Sequence, residues 1–209
     1  MLALLLFLLF LLGHPPTSHE SPTAYPCING RLMFVVDVST DLTKESYQKQ
    51  TDFLSYNVFT DEWTDLSRLT LVQYDQTAWD IPFDDEEVAG DVRLELRNAD
   101  QLTYANLTRV FETIYRWKPQ RSEETVHLLV FVSRIDQAAV DTSRPFVQSL
   151  QQKNYELTFV AVGGQLDAAL FYQLSANLIQ WDVERQNRSV DFVRQTFYNE
   201  TYEQMQGFY

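Results

Sequence analysis

The segment "FVVDVSTD", residues 34–41, decides the fold because it joins a buried strand to a row of oxygen-bearing side chains. An apolar run ends at Asp37, and polar side chains follow at every second position, at Ser39 and Asp41. Such a row suits a hard cation, which prefers carboxylate and hydroxyl oxygens. A strand that turns and caps the next helix accounts for the same pattern. The rest of the chain is needed to choose between these two hypotheses.

Strand-like and helix-like segments alternate along the chain. Continuous apolar runs, typical of strands covered on both faces, predict strands at 31–38, 67–74, 126–132, 157–162 and 178–183, with a further strand at 77–83 after a tight turn. Helical patterns occupy 42–56, 105–117, 141–154 and 167–176, and another follows a Ser189 cap. Pro145 is expected in the first turn of its helix. This order predicts an α/β fold in three layers, with a doubly wound, mostly parallel central sheet and helices on both faces.

Composition and charge narrow the classes of function. The chain of 209 residues is 45% hydrophobic, which fits one globular domain with a sizeable core. Its net charge of -13 argues against a nucleic-acid partner, because phosphate binding needs basic patches. The sequence has no dinucleotide fingerprint, P-loop, H-E-x-x-H motif or nucleophile elbow, and His127 is the only histidine outside the N-terminal leader. No enzyme activity is therefore predicted.

The N-terminus has the composition of a secretory signal peptide. Eleven apolar residues follow Met1 before a glycine and two prolines interrupt the run. This run is too short to cross a membrane, but it matches the apolar part of a signal peptide. We predict a signal peptide at 1–18, a leader segment at 19–28 and one domain at 29–209. The protein is then secreted and extracellular, with no membrane span in the mature chain.

Sequons and the single cysteine agree with export. Predicted N-glycosylation sites stand at Asn106, Asn187 and Asn199, each in an N-x-[ST] triplet. Cys27 is the only cysteine, so no disulfide forms within the chain. In an oxidising compartment, Cys27 is either buried and inert or bonded to a second chain.

The order of elements and "FVVDVSTD" together resemble the von Willebrand factor A domain, over nearly the whole chain from Cys27 onwards. In that family the first strand ends in D-x-S-x-S, the core of a metal-ion-dependent adhesion site. A threonine and an aspartate from two further loops complete the site. The resemblance implies that the strand at 77–83 is antiparallel at a sheet edge. It also implies a Mg²⁺ or Mn²⁺ ion with an open position for an acidic group of a partner.

The resemblance assigns candidate ligands residue by residue. Asp37 and Ser39 match the first two ligands, and Asp41 replaces a serine as the third. The family spacing, counted back from Leu107, places the threonine at Gln101, and Thr103 lies two residues later. Many exported members bond a cysteine before the first strand to one after the last helix. No partner for such a bond with Cys27 exists in this sequence.

The fourth strand, "LLVFVSRIDQ" at 128–137, decides whether a cation binds. Aligning this strand with the family places Ser133 on a threonine and Arg134 on the metal-associated aspartate. Asp136 takes that role only if the register slips by two residues. We favour Arg134, whose guanidinium would pair with Asp37 and Asp41 and replace the cation. In this interpretation the metal site is vestigial, no cofactor is bound, and the two aspartates also cap the following helix.

The favoured hypothesis is a secreted, non-catalytic adhesion or ligand-binding module for an extracellular protein or glycan. Its ligand-binding loops would carry Gln101, Thr103, Arg134 and Asp136. A structural or scaffolding protein of an extracellular matrix is the alternative, in which Cys27 or aromatic surface drives association. A metal-dependent adhesion module remains a further alternative if Asp136 supplies the missing ligand.

Overall fold

The structure, a computed structural model, describes residues 31–59, 68–82, 89–117, 125–163 and 166–181. Within these residues, one sheet contains the strands β1 (Arg31–Asp37), β2 (Leu69–Tyr74), β3 (Ala78–Pro82), β4 (Val126–Val132), β5 (Tyr155–Val162) and β6 (Asn177–Trp181). The strands lie in the order β3-β2-β1-β4-β5-β6. The β2–β3 pair is antiparallel and the other neighbours are parallel. The predicted, mostly parallel sheet with one antiparallel edge strand is confirmed.

Helices cover both faces of this sheet. They are α1 (Lys44–Phe53), α2 (Ala89–Asn98), α3 (Leu107–Arg116), α4 (Gln137–Gln151) and the short α5 (Ala168–Phe171). A π-helical segment at Leu54–Val58 continues α1. The side chains of α1 and α2 pack on one face of the sheet, and those of α3, α4 and α5 pack on the other. The predicted three layers are therefore present.

The central strand β1 shows why the sheet is buried on both faces. Successive side chains of a strand point to opposite faces. Phe34 belongs to the core cluster that contains Phe53 of α1, whereas Val35 belongs to the cluster that contains Phe111 of α3. All four side chains are at most 2% exposed. The register of β1 with β4, its parallel neighbour, places residues 34 and 35 opposite 129 and 130.

Strand β3 forms one edge of the sheet. Trp79 lies opposite Gln73 of β2, and its indole N–H donates to the Gln73 side-chain oxygen at 3.0 Å. Asp80 and Pro82 on the same strand are exposed. Strand β3 is thus paired with β2 on one side, and Asp80 and Pro82 face solvent.

Three helices differ from the sequence-based expectation. The helix expected at 167–176 is only four residues long and ends at Phe171. The sequence did not predict a helix at Ala89–Asn98. Three residues of α2 are buried, namely Ala89, Val92 and Leu96. Charged residues lie between them, so the apolar pattern is weak. The helix expected at 141–154 begins earlier, at Gln137, because Asp136 caps it. Pro145 therefore lies inside α4 and not in its first turn.

Several predictions concern residues outside the described ranges. They include the signal peptide at 1–18, the segment at 19–28 with Cys27, the sequons at Asn187 and Asn199, and the helix after Ser189. In the described part of the chain, no helix has the length and apolar character needed to cross a membrane.

Candidate functional site

The candidate site lies where the carboxyl ends of β1, β2 and β4 meet. Neighbouring parallel strands end at the same edge of a sheet, and ligands bind at this edge in open α/β sheets. Asp37 ends β1, Asp75 follows β2, and Ser133 and Arg134 follow β4. Residues 101–106, which precede α3 and which we call the α3 loop, lie against these ends through hydrogen bonds to both the β1 and the β2 loops.

Asp37 is a buried carboxylate whose two oxygens both accept hydrogen bonds. Its Oδ1 accepts from the backbone N–H of Ser39 at 2.9 Å. Its Oδ2 accepts from the backbone N–H of Ser133 at 3.1 Å and from the Ser133 hydroxyl. Burial raises the pKa of Asp37, and the hydrogen bonds from Ser133 and Ser39 oppose that rise. Three donors thus do part of what a cation would do for this carboxylate.

Asp41 connects three loops of the site. Its Oδ2 accepts from the backbone N–H of Ala105 at 2.8 Å, and its Oδ1 lies 3.5 Å from Nη1 of Arg134. Its own N–H donates to Oγ of Ser39 at 3.2 Å. The Arg134 side chain is 59% exposed and that of Asp41 only 18% exposed. The structure therefore places Arg134 beside Asp41, while Asp37 takes its hydrogen bonds from serine residues.

The prediction that Asp37 and Asp41 cap the next helix is wrong. The N-cap of α1 is Thr43, whose Oγ1 accepts from the backbone N–H of Ser46 at 3.1 Å. Only the residue next to the first helical position has the geometry to accept this bond. Because α1 begins at Lys44, Asp41 lies too far upstream to serve as the N-cap.

Gln101 and Thr103 use their side chains inside the protein. The Gln101 amide donates to the backbone carbonyls of Ser39 at 2.6 Å and Leu42 at 3.1 Å. The Thr103 hydroxyl donates to Oδ2 of Asp75 at 2.7 Å. Both residues thus position the α3 loop against the ends of β1 and β2.

Asp75 was missed in the sequence. It is 5% exposed and accepts hydrogen bonds from the backbone N–H of Thr77 at 2.9 Å and from the hydroxyls of Thr77 and Thr103. Burial by itself raises the pKa of Asp75, but these hydrogen bonds outweigh burial and hold the pKa below its usual value. An aspartate directly after an apolar strand, as in "LTLVQYD" at 69–75, is the same signal that identified Asp37.

Asp136 and Ser133, which both follow β4, have different hydrogen-bond partners. Asp136 is the N-cap of α4, and its Oδ1 accepts from the backbone N–H of Ala139 at 2.8 Å. Ser133 and Arg134 follow the last strand residue, Val132, and reach Asp37 and Asp41 respectively. Arg134 therefore faces the loop that follows β1, whereas Asp136 faces the start of α4.

A buried tyrosine next to the site connects β2 to β4. Tyr74, at the end of β2, is fully buried and donates its hydroxyl to the Phe131 carbonyl at 2.6 Å. Burial and the nearby carboxylate of Asp37 raise its pKa far above the usual value. Tyr74 is therefore a neutral hydrogen-bond donor at all ordinary pH values, and it fixes the spacing of β2 and β4 around β1.

A cavity of about 460 Å³ opens beside the site. It lies between the start of α3 and the start of α4, and Arg134 lines it. Tyr104 at its rim is 49% exposed, and the neighbouring Leu102 is 70% exposed. The Tyr104 hydroxyl accepts from the Gln76 amide at 3.1 Å. The α3 loop thus turns Gln101 and Thr103 inward and presents Leu102 and Tyr104 to solvent.

Comparison with solved structures identifies this arrangement of strands and loops. A von Willebrand factor type A structure from Catenulispora acidiphila superimposes with a TM-score of 0.62 at 11% identity, covering 83% of this chain and 42% of that one. The vWF domain of the type V pili tip protein Mfa5 from Porphyromonas gingivalis gives 0.60 at 8% identity, covering 81% and 96%. The fold is that of a von Willebrand factor A domain.

Proximal thread matrix protein 1 (PTMP1) from the mussel byssus matches this von Willebrand factor A fold with a TM-score of 0.64 at 12% identity. The match covers 80% of this chain and 47% of the mussel protein, so the chain spans about half the length of that relative. A further structure of PTMP1 has a zinc-occupied MIDAS motif. No protein-family model and no curated protein matches the sequence.

Proposed function

We propose that this protein is a secreted, non-catalytic adhesion or matrix module of the von Willebrand factor A type, which binds an extracellular protein without a divalent cation. The observation that carries the proposal is the contact of Arg134 with Asp41 beside the hydrogen-bonded carboxylate of Asp37. The proposed partner surface consists of Leu102, Tyr104 and Arg134 with the adjoining cavity.

The residues at the strand ends do not fit a cation of the kind that the fold family holds. Both oxygens of Asp37 already accept protein hydrogen bonds, and the Thr103 hydroxyl is directed to Asp75. Arg134 brings a positive charge to the carboxylate of Asp41. At about 4 Å and an effective dielectric near 20, a guanidinium repels a divalent cation by about 8 kcal/mol before screening. Solvent around the exposed guanidinium reduces this figure, but its sign opposes cation binding.

A metal-dependent version of the module would need Asp136 as a ligand. Oδ1 of Asp136 accepts the hydrogen bond that caps α4, so a cation bound through both oxygens would have to displace the cap. Loss of an N-cap costs about 0.5–2 kcal/mol. The repulsion by Arg134 disfavours the alternative in either case.

The exposed residues around the cavity have the character of a protein-binding surface. Tyrosine and arginine are enriched among the residues that dominate binding energy in protein interfaces. The loop that carries Leu102 and Tyr104 is held by the bonds of Gln101, Thr103 and Ala105, so little conformational entropy is lost when a partner binds. A protein ligand is favoured over a glycan because Leu102 offers apolar area and no hydrogen-bonding group.

The non-catalytic part of the proposal is supported by the position of His127. Its Nδ1 lies 3.1 Å from Oε2 of Glu156, and both residues lie at the starts of their strands, β4 and β5. This pair is at the opposite end of the sheet from the candidate site. The histidine is therefore too far from the serine and aspartate side chains of the site to act with them.

A structural role in a matrix is the second candidate function. It is favoured by the similarity in fold to a thread matrix protein of the mussel byssus. In this role Cys27 would link two chains, and the surface around the cavity would have no specific partner. A covalent dimer on a non-reducing gel that disappears in Cys27→Ser would support the matrix role.

Binding by immobilised protein in the presence of EDTA tests the main proposal. Extracellular proteins retained by the enzymatically deglycosylated wild type should remain bound in EDTA and should be lost from the deglycosylated Leu102→Asp variant. Leu94→Asp is the matched control, because Leu94 is 56% exposed on α2, away from the site. Retention that is lost in EDTA and restored by Mg²⁺ or Mn²⁺ would overturn the cation-independent mechanism. Equal loss in both leucine variants would overturn the assigned surface.

A further inference from the structure

The sequon at Asn106 lies in the wall of the cavity. Asn106, Leu107 and Thr108 all line it, and Arg134 lines the same cavity. Asn106 remains partly exposed. The modification motif and the proposed partner surface therefore share one space.

The hydrogen bond that Asn106 makes is compatible with an attached sugar. Asn106 is the N-cap of α3, and its Oδ1 accepts from the backbone N–H of Arg109 at 3.0 Å. N-glycosylation attaches the sugar to Nδ2 and keeps the carbonyl oxygen, so the cap and a glycan are compatible. Because the cap fixes the amide, an attached sugar starts from a defined point in the cavity wall.

We propose that Asn106 carries an N-linked glycan that covers the cavity and Arg134, so that only the unglycosylated form presents this surface to a partner. This inference names a regulation of the site and rests on the proposed function for its effect on partner binding. An N-linked glycan is bulky and hydrophilic. A cavity of about 460 Å³ has the size of a single small-ligand site, so a glycan on its wall and a partner side chain compete for it.

The chemical reactivity of Arg134 tests this shield without any partner. The full chain is secreted from a eukaryotic cell line, and glycopeptide mapping measures the occupancy of Asn106. Phenylglyoxal then modifies arginines before and after a peptide N-glycosidase removes the sugar from the folded protein. We expect the modification rate of Arg134 to rise several-fold on removal. The rate of Arg116, whose side chain is 65% exposed at the far end of α3, should not change.

Matched variants separate the sugar from the helix cap. Asn106→Asp keeps a capping oxygen but removes the acceptor, and it should react like the deglycosylated protein. Thr108→Ser keeps the sequon and the hydroxyl that lies 2.6 Å from Oγ1 of Thr142, and it should react like the wild type. If Asn106→Asp is not secreted, the enzymatically treated wild type provides the same comparison.

The outcomes distinguish this inference from the proposed function. An unmodified Asn106 in the secreted protein, or equal reactivity of Arg134 with and without the sugar, would overturn the shield and leave the partner surface standing. A glycan that protects Arg134 supports the shield even if Leu102→Asp retains full partner binding, which would contradict only the proposed function.

Discussion

Asp37 illustrates, at the scale of single residues, how protein donors can hold both oxygens of a buried carboxylate. It is buried, yet it accepts hydrogen bonds from Ser39 and from both donors of Ser133. Burial disfavours the charged form, whereas these donors favour it. The raised pKa shows that burial has the larger effect. Asp37 therefore costs stability whenever it is ionised.

Replacing Asp37 by asparagine should reduce the decrease in the free energy of unfolding that accompanies a rise in pH. A carboxyl whose folded-state pKa is raised stabilises the fold fully below its unfolded-state pKa. That contribution is lost as pH rises through the folded-state pKa. Urea titrations from acidic to neutral pH should show a larger decrease in the free energy of unfolding for the wild type than for Asp37→Asn. The exposed Asp141→Asn is the control and should follow the wild type; parallel curves for Asp37→Asn would contradict the prediction.

Replacing Arg134 by aspartate should create affinity for Mg²⁺ or Mn²⁺. The change removes a positive charge 3.5 Å from Asp41 and adds an oxygen ligand where the fold family has one. Calorimetric titration should show saturable heat for Arg134→Asp and none for the wild type. Asp136→Ala should leave the cation response unchanged. Clear Mg²⁺ binding by the wild type that Asp136→Ala abolishes would show that Asp136 is a ligand.

At the scale of elements, the α3 loop joins the ends of two strands. Gln101 donates a hydrogen bond to the loop after β1, and Thr103 donates one to Asp75 after β2. The backbone N–H of Ala105 donates to Asp41. The backbone N–H of Asn106 also donates to the Asp75 carbonyl at 2.8 Å. These hydrogen bonds hold the loop against the carboxyl ends of β1 and β2. They also determine which of its side chains face solvent.

Replacing Thr103 by valine should loosen the loop and lower stability at neutral pH. The variant loses a hydrogen bond to a charged carboxylate, which is worth about 1–3 kcal/mol in the free energy of unfolding. Because the pKa of Asp75 is lowered in the fold, its stabilisation is present above the unfolded-state pKa and is lost as pH falls through the folded-state pKa. The difference from the wild type should therefore shrink in acid.

Thr40→Val is the control for that experiment, because Thr40 is an exposed threonine on the adjoining β1 loop. Denaturant titrations at neutral and acidic pH should show little change for it. A Thr103→Val effect that is no larger than that of Thr40→Val, or that grows in acid, would contradict the role assigned to the Asp75 bond.

The elements differ in how well the sequence predicts them. The strands were predictable because continuous apolar runs are needed where both faces of a sheet are covered, as the burial of Phe34 and Val35 shows. Helix α3 was predictable from its apolar periodicity. Helix α2 was not, because Val92 and Leu96 alone give too short a pattern.

The site was only partly predictable for a different reason. The resemblance to the von Willebrand factor A domain brought Asp41 and Arg134 together, and the structure has them 3.5 Å apart. It did not reveal that Gln101 and Thr103 point inward, because loop side chains are oriented by long-range hydrogen bonds. Leu102 and Tyr104 were missed for the same reason.

At the scale of the whole molecule, the proposed function depends on the prediction that the protein is exported. We expect the secreted protein to lack residues 1–18 and to carry N-linked sugar. N-terminal sequencing of material from the medium, together with an electrophoretic shift after glycosidase treatment, checks both points. A chain that retains Met1, carries no sugar and stays inside the cell would contradict export.

The edge strand β3 has a consequence for how densely copies of such a protein can be packed together. An exposed sheet edge invites another strand, and repeated edge pairing leads to fibres. Pro82 has no N–H to offer to an incoming strand, and the exposed Asp80 places a charge where a second copy would place the same charge. Pairing of two copies through their β3 strands is therefore unfavourable. A material built from such modules would be protected along this edge from the strand addition that leads to amyloid.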